Sequence, residues 1–285
     1  MGIALGLAAA ISWGFSDYCA TLASRRTGAL RTVLGFHIVS IVVLSVAVAA
    51  TGALSGVTVE HMLVMLGLGV IGWISYLAFY RALAIGPISI VSPIVSGYAA
   101  VAVILAVVLL GESLSAGETA AVLVAFSGVA LASTDLAQIR TAERAQMVGI
   151  LLAVMTMVSI GAFVFGISYY STELGWLGPI FLGRIFTGLL IALTALRGGQ
   201  WRFEDRSRAL LGLLGAIAAL DTAGYIAFNV GVRNAETSLV ATAAAPYAVV
   251  PIVLGVLILR ERPAPVQWLG VALVIGGLVL LGLFS

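Results

Sequence analysis

The chain has no lysine, a single cysteine and two histidines, and only 9% of its 285 residues are charged. Each shortage excludes something. A soluble domain carries roughly a quarter charged residues, and a water-facing surface of this size cannot be covered with so few. The lone Cys19 rules out an intramolecular disulfide and reads as a small residue facing helix or lipid. A membrane protease needs a nucleophile beside a histidine at depth. Of the two histidines, His61 lies at the edge of an apolar run. No Gly-x-Ser-x-Gly, phosphate loop or metal-spaced cluster appears. The expectation is a protein that is not an enzyme, with no cofactor, no metal and no nucleic-acid partner.

What fills the chain is apolar sequence. Hydrophobic residues make up 62% of it, in runs that recur along the whole length. A bilayer core of about 30 Å needs about 20 apolar residues per helical span. The runs place spans near 2–22, 31–51, 61–81, 88–110, 117–135, 147–170, 176–196, 208–231, 237–258 and 265–284. They are apolar on all sides, which fits helices rather than barrel strands. Residues 2–22 read as a first span and not a cleaved leader, because no basic residue opens them and they carry Ser12, Trp13, Ser16 and Asp17. No connection is long enough for a soluble catalytic domain.

All fourteen cations are arginines, and they sort by side. Twelve fall on one membrane face: Arg25, Arg26, Arg31, Arg81, Arg140, Arg144, Arg197, Arg202, Arg206, Arg208, Arg260 and Arg262. Arg233 falls on the face that carries the termini, and Arg184 inside a span. The positive-inside rule makes the arginine face cytoplasmic and both termini periplasmic.

The chain also resembles itself. Shifted by 149 residues, Tyr76–Leu131 matches Tyr225–Leu280 without a gap, with 15 of 56 positions identical, about twice the chance level for such apolar text. Infrequent residues carry the match: Tyr76 with Tyr225, Tyr98 with Tyr247, Glu112 with Glu261 and Gly128 with Gly277. At 147 residues, Gly14 meets Gly161 and His37 meets Arg184. Residues 1–140 and 141–285 are thus expected to be two five-helix repeats, and an odd number of spans inserts the second upside down. Near-symmetry of the halves makes two conformations close in energy, so a modest gradient can drive exchange between them. The expected fold is an all-α integral membrane protein of about ten transmembrane helices, the repeats enclosing a central cavity.

Several motifs give this pattern a family likeness. Glu261-Arg-Pro-Ala-Pro-Val-Gln-Trp268-Leu-Gly270 is followed by Gly276-Gly277, and its first-half counterpart is Gly111-Glu112-Ser-Leu with Gly128. With Trp13-Gly14 and Arg184, these resemble the EamA-type branch of the drug/metabolite transporter superfamily over nearly the whole chain. His37 stands opposite Arg184, and the helix prolines are displaced to Pro93 and Pro246, two departures from the usual pattern. The resemblance implies a secondary transporter of the bacterial inner membrane that exports small metabolites. Exporters of aromatic and neutral amino acids of the YddG-like kind are the nearest branch. Other metabolites or drugs remain open as cargo, as does a passive facilitator or channel. Partners are then the small-molecule substrate and the bilayer, with a monomer plausible.

Polar groups are expensive in hydrocarbon, so those present mark candidate sites. Gly72, Tyr76 and Tyr80 follow one another at i, i+4, i+8, and so do their mates Asp221, Tyr225 and Asn229. Each trio forms a stripe on a helix face. Together they are expected to wall the cavity, helix–helix hydrogen bonding being the plainer alternative. Trp13, Ser92, Ser96, Tyr98, Thr242 and Tyr247 join them, although serine bonding back to its own helix competes. Asp17 is a candidate for proton coupling, weighed against pairing with Arg25 near the interface. Arg184 is weighed between carboxylate recognition and a structural anchor. His37 reads as packing, and Glu112 and Glu261 as helix-boundary or loop-pairing groups.

Overall fold

In a computed structural model the chain is described over residues 1–86, 88–132, 144–205, 207–258 and 264–284. Arg140, Arg206, Arg260, Glu261 and Arg262 lie outside the described residues. The first half contains α1 (Gly2–Thr27), α2 (Ala29–Thr51), α3 (Val59–Ile85), α4 (Ile88–Ser96), α5 (Tyr98–Leu105), a π-turn (Ala106–Leu110) and α6 (Ala116–Ala132). The second contains α7 (Arg144–Leu174), α8 (Leu177–Arg197), α9 (Arg208–Val232), α10 (Thr237–Ala244), a 3₁₀ turn (Ala245–Ala248), α11 (Val249–Leu257) and α12 (Pro265–Phe284).

Among the described residues, seven helices are long and apolar enough to cross a membrane. Two further apolar helices, Ala116–Gly128 and Trp268–Leu281, are shorter. Seven of the ten expected spans thus reach membrane length among the described residues, the fifth and tenth are present as the shorter helices, and the fourth and ninth are not continuous. The fourth reaches membrane length over Ile90–Leu110 only as a broken rod, with Pro93 inside α4 and a break at Gly97. The ninth is interrupted by the 3₁₀ turn that holds Pro246. Proline removes a ladder donor and crowds the preceding turn, and each break lies at or within a turn of its proline.

Packing interleaves the halves. α1 lies along α9 as α7 lies along α3; α1 meets α10 as α7 meets α4 and α5; α2 meets α9 as α8 meets α3. Three elements pack on their own mates: α2 on α8, α5 on α10 and α6 on α12. The close approaches repeat atom for atom. A Cβ on Gly14 would lie 2.5 Å from Val250 Cβ and 2.6 Å from Tyr247 O. One on Gly161 would lie 2.6 Å from Val101 Cβ and 2.8 Å from Tyr98 O. Val250 and Tyr247 stand 149 residues after Val101 and Tyr98, so each glycine admits the same neighbour from the opposite half. Outward-facing positions are apolar, with Val46 on α2 68% exposed and Leu211 on α9 61% exposed. Such a surface suits lipid.

Ties at the helix ends join the halves too. On the arginine face, Arg26 bonds Asp205 at 2.5 Å and Ser207 Oγ at 3.1 Å, and Arg31 bonds Glu204 at 3.2 Å. On the opposite face, His61 pairs with Glu173 at 3.2 Å while its Nδ1 completes a capping box with Thr58. The backbone N–H of Ser207, then its hydroxyl and Arg26, hold the Asp205 carboxyl below its ordinary 3.8. A lowered native value means that the tie is fully present above 3.8 and is lost as pH falls through the lower native value. The melting difference between wild type and Asp205→Asn is therefore expected to stay constant from neutral pH to about 4 and to shrink below it. A difference that already shrinks near neutrality contradicts this assignment.

Candidate functional site

Where α1, α3, α4, α5, α7 and α9 converge, with the 3₁₀ turn, they line a small cavity of about 50 Å³. That is well below the ~300–1,000 Å³ of small-molecule pockets, so a guest larger than a few waters needs the walls to part. Trp13 and Asp17 come from α1, Tyr76 and Phe79 from α3, Val95 and Tyr98 from the broken fourth segment. Ile160 and Val164 come from α7, Asp221 and Tyr225 from α9, and Tyr247 from the 3₁₀ turn. The two breaks place both Tyr98 and Tyr247 in the wall, their ring centroids 5.9 Å apart. Trp13 stands edge-on to Tyr98 at 5.9 Å and to Tyr225 at 5.3 Å. Mates also meet directly: the Tyr76 hydroxyl donates to the Tyr225 hydroxyl at 3.3 Å. The cavity therefore lies where the two halves face each other.

Two charges of opposite sign settle beside it. Arg184 forms a buried ion pair with Asp221, and donates to Tyr76 Oη at 2.9 Å. Its guanidinium also lies 5.4, 5.2 and 5.1 Å from the Phe36, Tyr76 and Tyr225 ring centres. Attraction to three ring faces and one carboxylate offsets the cost of burying a cation. A smaller space, lined by Phe163, Ile167, Ile180, Arg184 and Tyr225, adjoins this group. Asp17 differs. It is 6% exposed, and its carboxylate accepts one long hydrogen bond, from Ser92 at 3.5 Å. No described cation is paired with it: Arg25 instead donates to Gly86 O at 3.0 Å. Pairing between Asp17 and Arg25 is thus corrected. The Tyr98 hydroxyl is likewise buried without a hydrogen-bond partner among the described residues. Among the described residues, the cavity offers a largely aromatic wall, one carboxyl without a counter-ion and one hydroxyl without a partner.

Seven of the sequence candidates meet in this wall: Trp13, Asp17, Tyr76, Tyr98, Asp221, Tyr225 and Tyr247. Arg184 stands one contact behind it. Tyr80, Ser92, Ser96, Asn229 and Thr242 do not line it, and the reasons are geometric. Four residues advance a helix by about 400° rather than 360°, so an i, i+4, i+8 stripe turns away from a compact space. Tyr80 accordingly stacks on Phe36 at 5.3 Å. Asn229 is fully buried, with both side-chain polar atoms unpartnered among the described residues. Ser96 donates to Pro93 O at 2.7 Å and Thr242 to Ser238 O at 2.8 Å, each bonding back to its own chain segment. Ser92 reaches the site only through Asp17. His37 packs edge-on against Tyr76 at 5.0 Å with Nδ1 on Val33 O, a core residue.

The sequence reading missed Phe79, Val95, Ile160 and Val164. Two of them had a signal. Adding 147 to Trp13 and Asp17 gives Ile160 and Val164, so the repeat offset alone places them in the wall.

A buried aromatic cavity with few polar groups, inside a bundle of membrane-length helices, is the arrangement of a membrane transport protein. The chain belongs to the EamA-like transporter family, whose profile matches residues 1–134 and again residues 147–283. No curated protein matches it. A solved structure titled only as a crystal structure of a protein is similar over 99% of this chain and 96% of its own. The TM-score is 0.73 at 17% identity, a likeness that speaks for the fold.

Proposed function

We propose that the chain exports small amino-acid-like metabolites, aromatic and neutral amino acids first among them, by alternating access across the bacterial inner membrane. The repeats 1–140 and 141–285 are inverted relative to each other, with both termini periplasmic. One observation carries the reading: Asp17, buried and with no counter-ion among the described residues, stands in a wall that is mainly aromatic and aliphatic. A primary ammonium completes that carboxylate, and rings are favourable neighbours for a cation and for an apolar side chain alike. Trp13, Tyr98 and Tyr247 enclose the side chain. Arg184 attracts the substrate carboxylate in competition with Asp221, its fork being suited to bidentate pairing. Between substrate cycles Asp17 takes up a proton, which couples export to the proton gradient.

Proteoliposomes loaded with phenylalanine, threonine or methionine test this. Saturable, pH-gradient-dependent efflux is expected, with exchange accelerated by substrate on the far side, which a passive channel does not show. Asp17→Asn is expected to lower the initial rate at least tenfold and to abolish its response to the pH gradient. Full gradient-driven transport by Asp17→Asn removes the coupling role. Absence of amino-acid transport in the wild type removes the substrate class.

A further inference from the structure

The end of the fourth membrane segment is irregular in a way that the cavity wall does not require. After α5 the backbone widens into the π-turn Ala106–Leu110, and Gly111 then takes φ 68°. Side-chain-bearing residues rarely adopt that left-handed conformation, and π-turns concentrate at functional places. The consequence is that Glu112 reaches across to the other half. Its two carboxylate oxygens accept the backbone N–H groups of Thr237 and Ser238, each at 2.9 Å. These are the first two amides of α10, whose own N-cap, Glu236, contributes no side-chain bond. A helix start leaves such donors orphaned and carries partial positive charge. Here the missing cap comes from the opposite repeat. Burial, then the charges of Glu112 and Glu118, keep the Glu236 carboxyl above its ordinary range, so acidic groups crowd this end and only one of them is bonded across.

We propose that Glu112 is a latch that holds the cavity shut toward the membrane face carrying the chain's termini. α5 begins at Tyr98 and α10 leads into Tyr247, whose rings stand together in the wall. α5 and α10 pack on one another and belong to different halves. Opening toward the terminus face parts them, and parting them breaks both Glu112 bonds. The inference rests on the alternating-access reading above.

A reporter carrying Cys19→Ser and Val95→Cys places a single thiol in the cavity, and a membrane-impermeant thiol reagent is applied from each face of oriented vesicles. Glu112→Ala is expected to speed labelling from the terminus face at least tenfold relative to the reporter, as loss of two charge-assisted bonds implies. Glu112→Gln keeps the shape without the charge and is expected to fall between the two, so it decides the matter if the alanine variant does not fold. Glu118→Gln, the same charge change with no bond across the halves, is expected to label at the reporter's rate. Equal labelling of the reporter and both Glu112 variants overturns the latch. A reporter whose labelling never shifts between faces on adding phenylalanine overturns alternating access, and the latch with it. A reporter that shifts while the Glu112 variants do not overturns the latch alone.

Discussion

Asp221→Asn is expected to cost the folded protein roughly 3–5 kcal/mol, because it leaves the Arg184 guanidinium buried without its carboxylate. Arg184 is 3% exposed and cannot swing out to water from within the bundle. Tyr76 Oη at 2.9 Å and three ring faces remain to it, and each such contact contributes only about 0.5–2 kcal/mol. Fluorescence-monitored melting in detergent measures the loss. Removing both charges, as in Arg184→Met with Asp221→Leu, is expected to recover most of the stability, since an apolar pair of similar volume replaces a buried ion pair at little cost. Transport is expected to be lost in the double variant, because the group proposed to attract a substrate carboxylate is gone. An Asp221→Asn protein that melts like wild type refutes the pair as a structural element.

The second large effect is steric and comes in two matched copies. A Cβ on Gly128 of α6 would sit 2.5 Å from Val274 N and 2.7 Å from Gly270 O. A Cβ on Gly277 of α12 would sit 2.6 Å from Ala125 N and 2.8 Å from its Cα. The colliding atoms are backbone, so no side chain can move aside and the helices must separate. Close approach at small residues is what holds helices together in lipid, where apolar burial gives no advantage. Gly128→Ala and Gly277→Ala are each expected to cost about 1–3 kcal/mol. The double variant is expected to cost less than the sum, because the first separation already makes room for the second methyl. Strict additivity in the melting curves argues that the two contacts are independent rather than one shared seam.

Much of this architecture was legible in the residues. The absence of lysine and the rarity of charge required a lipid environment, and the offset of 147–149 residues anticipated which contacts would recur, down to Gly14 and Gly161. The wall was half legible. Tyr76, Tyr98, Tyr225 and Tyr247 stand out as aromatic groups repeated between halves, and Trp13 as an aromatic group in the first span. Tyr80 and Asn229 misled because a four-residue step was read as staying on one face. The partner of Arg184 was not deducible, since Asp221 lies 37 positions away and its repeat mate is Gly72, so symmetry offers no hint. Breaks in the fourth and ninth segments follow from Pro93 and Pro246, yet the π-turn before Glu112 has no proline to announce it.

The mates of Trp13 and Asp17 are Ile160 and Val164, so the enclosure is lopsided although its scaffold is doubled. A guest held by Asp17, as proposed above, would have its charged anchor on α1, with no equivalent carboxylate on α7. Under the alternating-access reading proposed above, crossing the bilayer would demand little travel from the guest itself, and the surrounding walls would trade places around it.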